Sequence, residues 1–208
     1  MLQYRTIEEA TLHVLKELMA MEELETFYLV GGTALSLMYG HRSSVDIDLF
    51  STKKFENESV IAVLEKKFKD FSYRNAHNPV GVFGMIGTCK VDFVQHYNYP
   101  LIDDPDEIDG IRMVSAREIM AMKIAAILRR AVKKDFWDIA ELLKHYTVQQ
   151  CIDAYTQKYP SQQLLISIPF ALTYFSDADE SEEPISLKGQ TWASVKKFIQ
   201  QQVSDYLK

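Results

Sequence analysis

The chain has 208 residues, of which 47% are apolar and 25% charged, and its formal net charge is −6. That size suits one large domain or two small ones with an ample core. The acidic balance argues against a surface that binds nucleic acid indiscriminately, although a local basic groove is compatible with it.

The N-terminus lacks the charged and apolar regions of a signal peptide. Thr6-Ile7-Glu8-Glu9 instead reads as a capping box. It opens a helix over roughly Thr6 to Glu22, with Ala10, Val14, Leu15 and Leu18 as its apolar stripe. Cys89 and Cys151 lie far apart, outside any CxxC or Cys/His cluster, so neither a zinc site nor a disulfide framework is expected. Reduced thiols and a cytoplasmic setting follow. The longest apolar block, Leu164 to Phe175, is broken by Pro169 and falls short of the about 20 residues that a membrane span needs. No membrane association is expected.

Phe27 to Phe50, FYLVGGTALSLMYGHRSSVDIDLF, is the most informative stretch. Phe27 to Val30 reads as a short buried strand that runs into Gly31-Gly32. Thr33 to Tyr39 gives one or two turns of helix, stopped by Gly40 as a C-cap. Val45 to Phe50 reads as a second strand, with Val45, Ile47 and Leu49 on one face and Asp46 and Asp48 on the other. Two neighbouring carboxylates repel each other, and a hard divalent cation such as Mg²⁺ or Mn²⁺ removes that conflict. The paired glycines admit a phosphate close to the backbone, and the following helix aims free N–H groups at the anion. A phosphate cradle facing a metal site is what a nucleoside triphosphate requires.

Val30-Gly31-Gly32, thirteen spacer residues and then Asp46-Ile47-Asp48 resemble the signature of the DNA polymerase β nucleotidyltransferase superfamily. The fuller string GGTALSLMYGHRSSVDIDLF resembles the AbiEii/AbiGii-type nucleotidyltransferase toxins. The resemblance implies an α/β (α+β) fold, a polymerase β-like mixed sheet with flanking helices followed by a helical C-terminal domain. It also implies transfer of a nucleoside monophosphate from an NTP to an RNA (such as tRNA) or protein acceptor, and a cognate antitoxin.

Farther along, Asn57 to Lys69 reads as a helix that buries Val60, Ile61, Val63, Leu64 and Phe68. Phe71 to Ala76, Val80 to Ile86 and Thr88 to His96 read as an antiparallel meander. Asp92 lies between apolar Val91 and Phe93. A lone strand aspartate is more often a solvated surface residue. The resemblance makes it the third catalytic carboxylate, completing a two-metal site with Asp46 and Asp48.

Leu101 to Gly110 is rich in acids and turn formers and reads as a solvated linker, setting a boundary between residues 1–110 and 111–208. Ser115-Ala116-Arg117-Glu118 is another capping box, opening the helix REIMAMKIAAILRRAV. Lys123 and Arg130 share a face of that helix, with Lys134 joining them if it runs on. They are either snorkelling cations or a positive arm over a triphosphate. Asp135 reads as the N-cap of the next helix, with Asp138 favouring the same helix dipole. KIAAILRRAVKKDFWDIAELL also resembles the family's later motifs. That resemblance gives Lys123 a contact with the nucleotide and Asp135 a catalytic or supporting role, Asp138 being the weaker candidate. It likewise adds Gly31, Gly32, Thr33, Arg42, Ser44 and Arg130 to the nucleotide site. Gln149 to Tyr159, Gln162 to Phe175 and Gln190 to Leu207 read as amphipathic helices of no assigned role. Two alternatives are a DxD glycosyltransferase and a non-catalytic binding module on the same fold.

Overall fold

Phe27–Val30 forms β1, buried at Phe27, Leu29 and Val30 because it lies in the middle of a sheet. The computed structural model describes residues 1–208. The remaining strands are β2 (Ile47–Ser51), β3 (Phe71–Tyr73), β4 (Gly81–Ile86), β5 (Cys89–Gln95), β6 (Asp106–Ile108) and β7 (Ile111–Met113). They join β1 in one mixed sheet of order β3-β4-β5-β2-β1-β7-β6. β2 runs parallel to β5 and β1 parallel to β7, while every other neighbouring pair is antiparallel. This is the expected α/β class. It is not the doubly wound parallel sheet that would favour a glycosyltransferase.

The helices are α1 (Glu9–Met19), α2 (Gly31–Tyr39), α3 (Asn57–Lys67), α4 (Ala116–Ile127), α5 (Lys133–Leu142), α6 (Val148–Lys158), α7 (Ile168–Thr173) and α8 (Trp192–Tyr206). One continuous hydrophobic core runs from Leu29, Leu49 and Phe93 of the sheet to Ile124, Trp137 and Ile199 of the later helices. No helix is long and apolar enough to cross a membrane.

Several local expectations are corrected. The first helix starts at Glu9, because Tyr4–Thr6 forms a 3₁₀ turn and the Thr6 hydroxyl donates back to Gln3 O. The stretch 101–110 is not only a linker: β6 and β7 form a hairpin across Asp109-Gly110, and β7 joins β1. The hairpin therefore straddles residue 110. At Ser115 only half of a capping box forms. Its hydroxyl accepts from Glu118 N, but the Glu118 carboxylate turns inward to accept from Ile102 N and pair with buried Lys158. Between 162 and 175 only Ile168–Thr173 is helical, started by Pro169 in the first turn and the Ser167 cap.

Candidate active site

The turn from β1 into α2 builds one wall of a cavity of about 220 Å³. Gly31 adopts φ +71°, a left-handed conformation that glycine enters without cost, and a Cβ there would lie 2.9 Å from Asp48 Oδ2. The close approach of backbone and carboxylate thus depends on glycine. Gly31 and Gly32 open α2 at the cavity wall, and first-turn N–H groups have no partner within their own helix. Gly40, at φ +66°, closes the helix as expected. Asp46 and Asp48 line the same cavity, with Ser44, Arg42, Lys123, Arg130, Lys134 and Asp135 completing its polar lining. Thr33 is absent from that wall. It is buried, its hydroxyl donates to the carbonyl of Asp46, and its Oγ lies 2.9 Å from Ser44 Oγ. Its role here is to pin the 44–46 segment against α2.

Asp92 lies one strand beyond Asp48. The parallel register of β2 and β5 puts the two directly opposite, on the same face of the sheet. Asp92 lines the adjoining cavity of about 410 Å³ rather than the one holding Asp46 and Asp48. Lys90, two residues earlier on the same face, donates to Asp92 Oδ2 and lies near enough to attract Asp48 and Asp46. Burial raises the Asp48 carboxyl above its ordinary range; Lys90 opposes that, and Asp92 and Asp46 reinforce it. No three acidic, histidine or cysteine side chains converge tightly enough to hold a metal ion as they stand. The donor chemistry nevertheless fits a hard cation. All three groups offer carboxylate oxygens, Asp92 Oδ1 is buried without a hydrogen-bond partner, and Lys134 Nζ sits 3.9 Å from Asp46 Oδ2. Lys90 and Lys134 thus supply positive charge beside these acids.

Behind the cavity lies a buried ionic network centred on Asp138. Its Oδ1 accepts from Arg42 Nε at 2.7 Å and its Oδ2 from Arg42 Nη2 at 2.9 Å, a two-pronged contact. His41 Nε2 lies 2.8 Å from Oδ1, and Lys123 Nζ lies 2.7 Å from Oδ2. Burial opposes the Asp138 charge, but Arg42 and Lys123 outweigh it and hold the carboxyl well below the usual range. Lys123 also pairs with Asp135 Oδ1 at 2.8 Å. Burial works against its ammonium, and Asp138 with Asp135 more than restores it. Arg42 is therefore committed to Asp138 and Ser43 O rather than free to meet phosphate with its whole fork. Asp135 is not an N-cap; it is fully buried inside the first turn of α5. Arg130 follows the end of α4 instead of extending it, with Nε 3.6 Å from Asp135 Oδ2.

A family model described as the nucleotidyl transferase AbiEii toxin of a type IV TA system matches residues 13–205. The chain belongs to the AbiEii nucleotidyltransferase toxin family. An uncharacterized protein of Aquifex aeolicus is 30% identical to this AbiEii-family chain over 211 residues, covering 98% of each. A candidate nucleotidyltransferase from H. pylori is similar in structure, with TM-score 0.59, 18% identity, and 97% of this chain and 99% of the other covered. The nucleotidyltransferase toxin MenT4 of Mycobacterium tuberculosis gives TM-score 0.54 at 16% identity, with 92% and 83% covered. At these identities the two structures show a shared fold.

For an AbiEii-family nucleotidyltransferase, two features of the site were not foreseen from the residues. His41 joins Asp138 from the loop after α2, and Lys90 faces the carboxylates. The period-two alternation of β5 was the available signal for Lys90, since residues i and i+2 share a face. Gly32 yields a direct prediction. A Cβ there would stand 2.1 Å from Arg42 Nη2, and that guanidinium is locked on Asp138. Gly32→Ala is expected to lower unfolding stability by about 1–3 kcal/mol, the range for forced overpacking, measured as a urea midpoint shift.

Proposed function

We propose that this protein moves a nucleoside monophosphate from an NTP to a hydroxyl of an RNA acceptor in a reaction that depends on Mg²⁺ or Mn²⁺. The observation that carries the reading is the meeting of the α2 N-terminus, Asp46 and Asp48, and Lys123 in one cavity. Asp46, Asp48 and Asp92 would hold the divalent cations, which would supply neutralisation of the triphosphate and acidification of the attacking hydroxyl. The acceptor oxygen bonds to the α-phosphorus, the bond to the bridging oxygen toward the β-phosphorus breaks, and pyrophosphate leaves. The acceptor proton passes to the Asp92 carboxylate and on to solvent.

Each part of the chain has a task in that step. Gly31 and Gly32 let the triphosphate approach the backbone, and the α2 N-terminus faces its charge. Lys123, steered by Asp135 and Asp138, and Arg130 and Lys134 at the rim meet charge that builds on the leaving pyrophosphate. Arg42 and Ser44 shape the wall, and Thr33 pins it from behind. The family's toxin–antitoxin setting supports a cognate antitoxin as partner.

Incubating the protein with each α-labelled NTP, Mg²⁺ and separate cellular RNA and protein fractions tests the proposal. Label in the RNA fraction, lost with EDTA, is expected. Label in protein alone contradicts the acceptor, and no transfer to either contradicts the activity.

A further inference from the structure

The carboxylates continue, residue by residue, into a row of different chemistry. Asp48 on β2 is opposite Asp92 on β5, and Asp92 is opposite Phe83 on β4. The row ends at Arg74, just past β3, whose N–H donates to Phe83 O at 3.2 Å. Directly opposed residues share a face, so Asp48, Asp92 and Phe83 form a row across β2, β5 and β4 that Arg74 extends just past the end of β3. Asp92, Phe83 and Arg74 also line one cavity of about 410 Å³, together with Lys90, Met85 and Asn78.

This cavity lies on the far side of Asp92 from the glycine turn and Lys123. Its aromatic residue, Phe83, is half-buried on a paired strand, so the ring is supported without being sealed off. Arg74 is exposed and has no carboxylate partner, in a chain that carries net negative charge. Asn78 Oδ1 accepts from Val80 N, which leaves its side-chain NH₂ group available to a ligand. A supported ring, an unpaired guanidinium and an amide beside an acid are the parts that hold an unpaired nucleotide: stacking for the base, charge for the phosphate, an edge contact for identity.

We propose that Phe83 and Arg74 seat the last nucleotides of the RNA acceptor, setting its terminal hydroxyl over Asp92. The assignment rests on the nucleotidyltransferase reading above and adds to it the direction of approach. The NTP enters from the α2 and α4 side, the acceptor arrives along β4 and β3, and Asp92 stands between the two. Phe83 tolerates different bases because every base has a stacking face, whereas Arg74 selects for a phosphate-bearing chain.

The test uses the full chain and a fluorescein-labelled, mixed-sequence octaribonucleotide with a free 3′ hydroxyl, with binding read by anisotropy at low salt. Arg74→Glu reverses an exposed charge, and Phe83→Leu keeps an apolar side chain while removing the aromatic face. Each is expected to weaken binding by about tenfold or more, by loss of phosphate contact and of stacking respectively, and Arg74→Glu should also flatten the salt dependence. Calorimetric binding of Mg·NTP should be unchanged in both variants, and unchanged melting temperatures verify their folding. RNA binding that is absent in the wild type, or unaltered by both substitutions while Mg·NTP still binds, overturns the acceptor seat alone. Loss of Mg·NTP binding by the wild type overturns the underlying reading instead.

Discussion

Replacing Asp48 with asparagine is expected to abolish nucleotide transfer while raising the melting temperature of the metal-free protein. Asp48 is flanked by like charges, Asp46 just ahead of its strand and Asp92 directly across on β5. Without a cation, such neighbours repel each other and weaken the sheet. Asparagine has nearly the same shape, keeps clear of Gly31 in the same way, and removes one of the three charges. A gain of about 2–4 °C corresponds to about 1 kcal/mol for a chain of this size. On the proposed reading the same change removes a metal ligand, so transfer should fall by at least about 10³-fold, roughly 4 kcal/mol of barrier. A thermal melt in EDTA and a labelled-NTP transfer assay give the two numbers. A site that trades stability for chemistry yields this pair of opposite signs. A variant that melts lower and stays active would make Asp48 a structural residue.

Asp138→Ala should be the most destabilising single change in the chain. The wild-type carboxylate is completely buried and compensates Arg42 and Lys123 while meeting His41. Removing it strands a buried guanidinium, and breaking one side of such a pair costs about 3–5 kcal/mol. The pH dependence follows from the lowered carboxyl. A group whose folded pKa is depressed contributes stability that is fully present above the unfolded value, about 3.9, and is lost as pH falls through the lower folded value. The stability gap between wild type and Asp138→Asn should accordingly stay constant near neutrality and shrink below about pH 4. Urea midpoints between pH 3 and pH 7 measure it. A gap that narrows between pH 5 and pH 7 would contradict the assignment to Asp138.

The glycine turn and the DxD strand were legible in the residues because their geometry is local. A glycine pair, a C-cap and a two-residue alternation each act within a few positions, and β1, α2 and β2 follow them, except that α2 already starts at Gly31 and β2 starts only at Ile47, leaving Val45 and Asp46 outside the strand. Asp138 was read as the weaker candidate because an acid in the first turns of a helix already has a local explanation in the helix dipole. Its real partners, His41 and Arg42, are 97 and 96 residues away in the chain, and only the tertiary fold joins them. Arg42 was read as a phosphate ligand for the same reason, its competing carboxylate being invisible from nearby sequence. The β6–β7 hairpin carries a recognisable Asp109-Gly110 turn, but the surrounding acidic residues suggested a solvated linker. Arg130 was placed on the face of Lys123 by assuming an unbroken helix, whereas α4 ends at Ile127 and Ala131 takes a positive φ of 34°.

On the proposed reading, Asp46 and Asp48 bind a nucleoside triphosphate through a divalent cation. Calorimetry of each NTP with Mg²⁺ and with EDTA, on the wild type and on the Asp46→Ala, Asp48→Ala double variant, tests it most directly. Binding of at least one NTP by the wild type with Mg²⁺, lost both in EDTA and in the double variant, is the expected result. Equal binding by the folded double variant, or no binding of any NTP by the folded wild type, would contradict it.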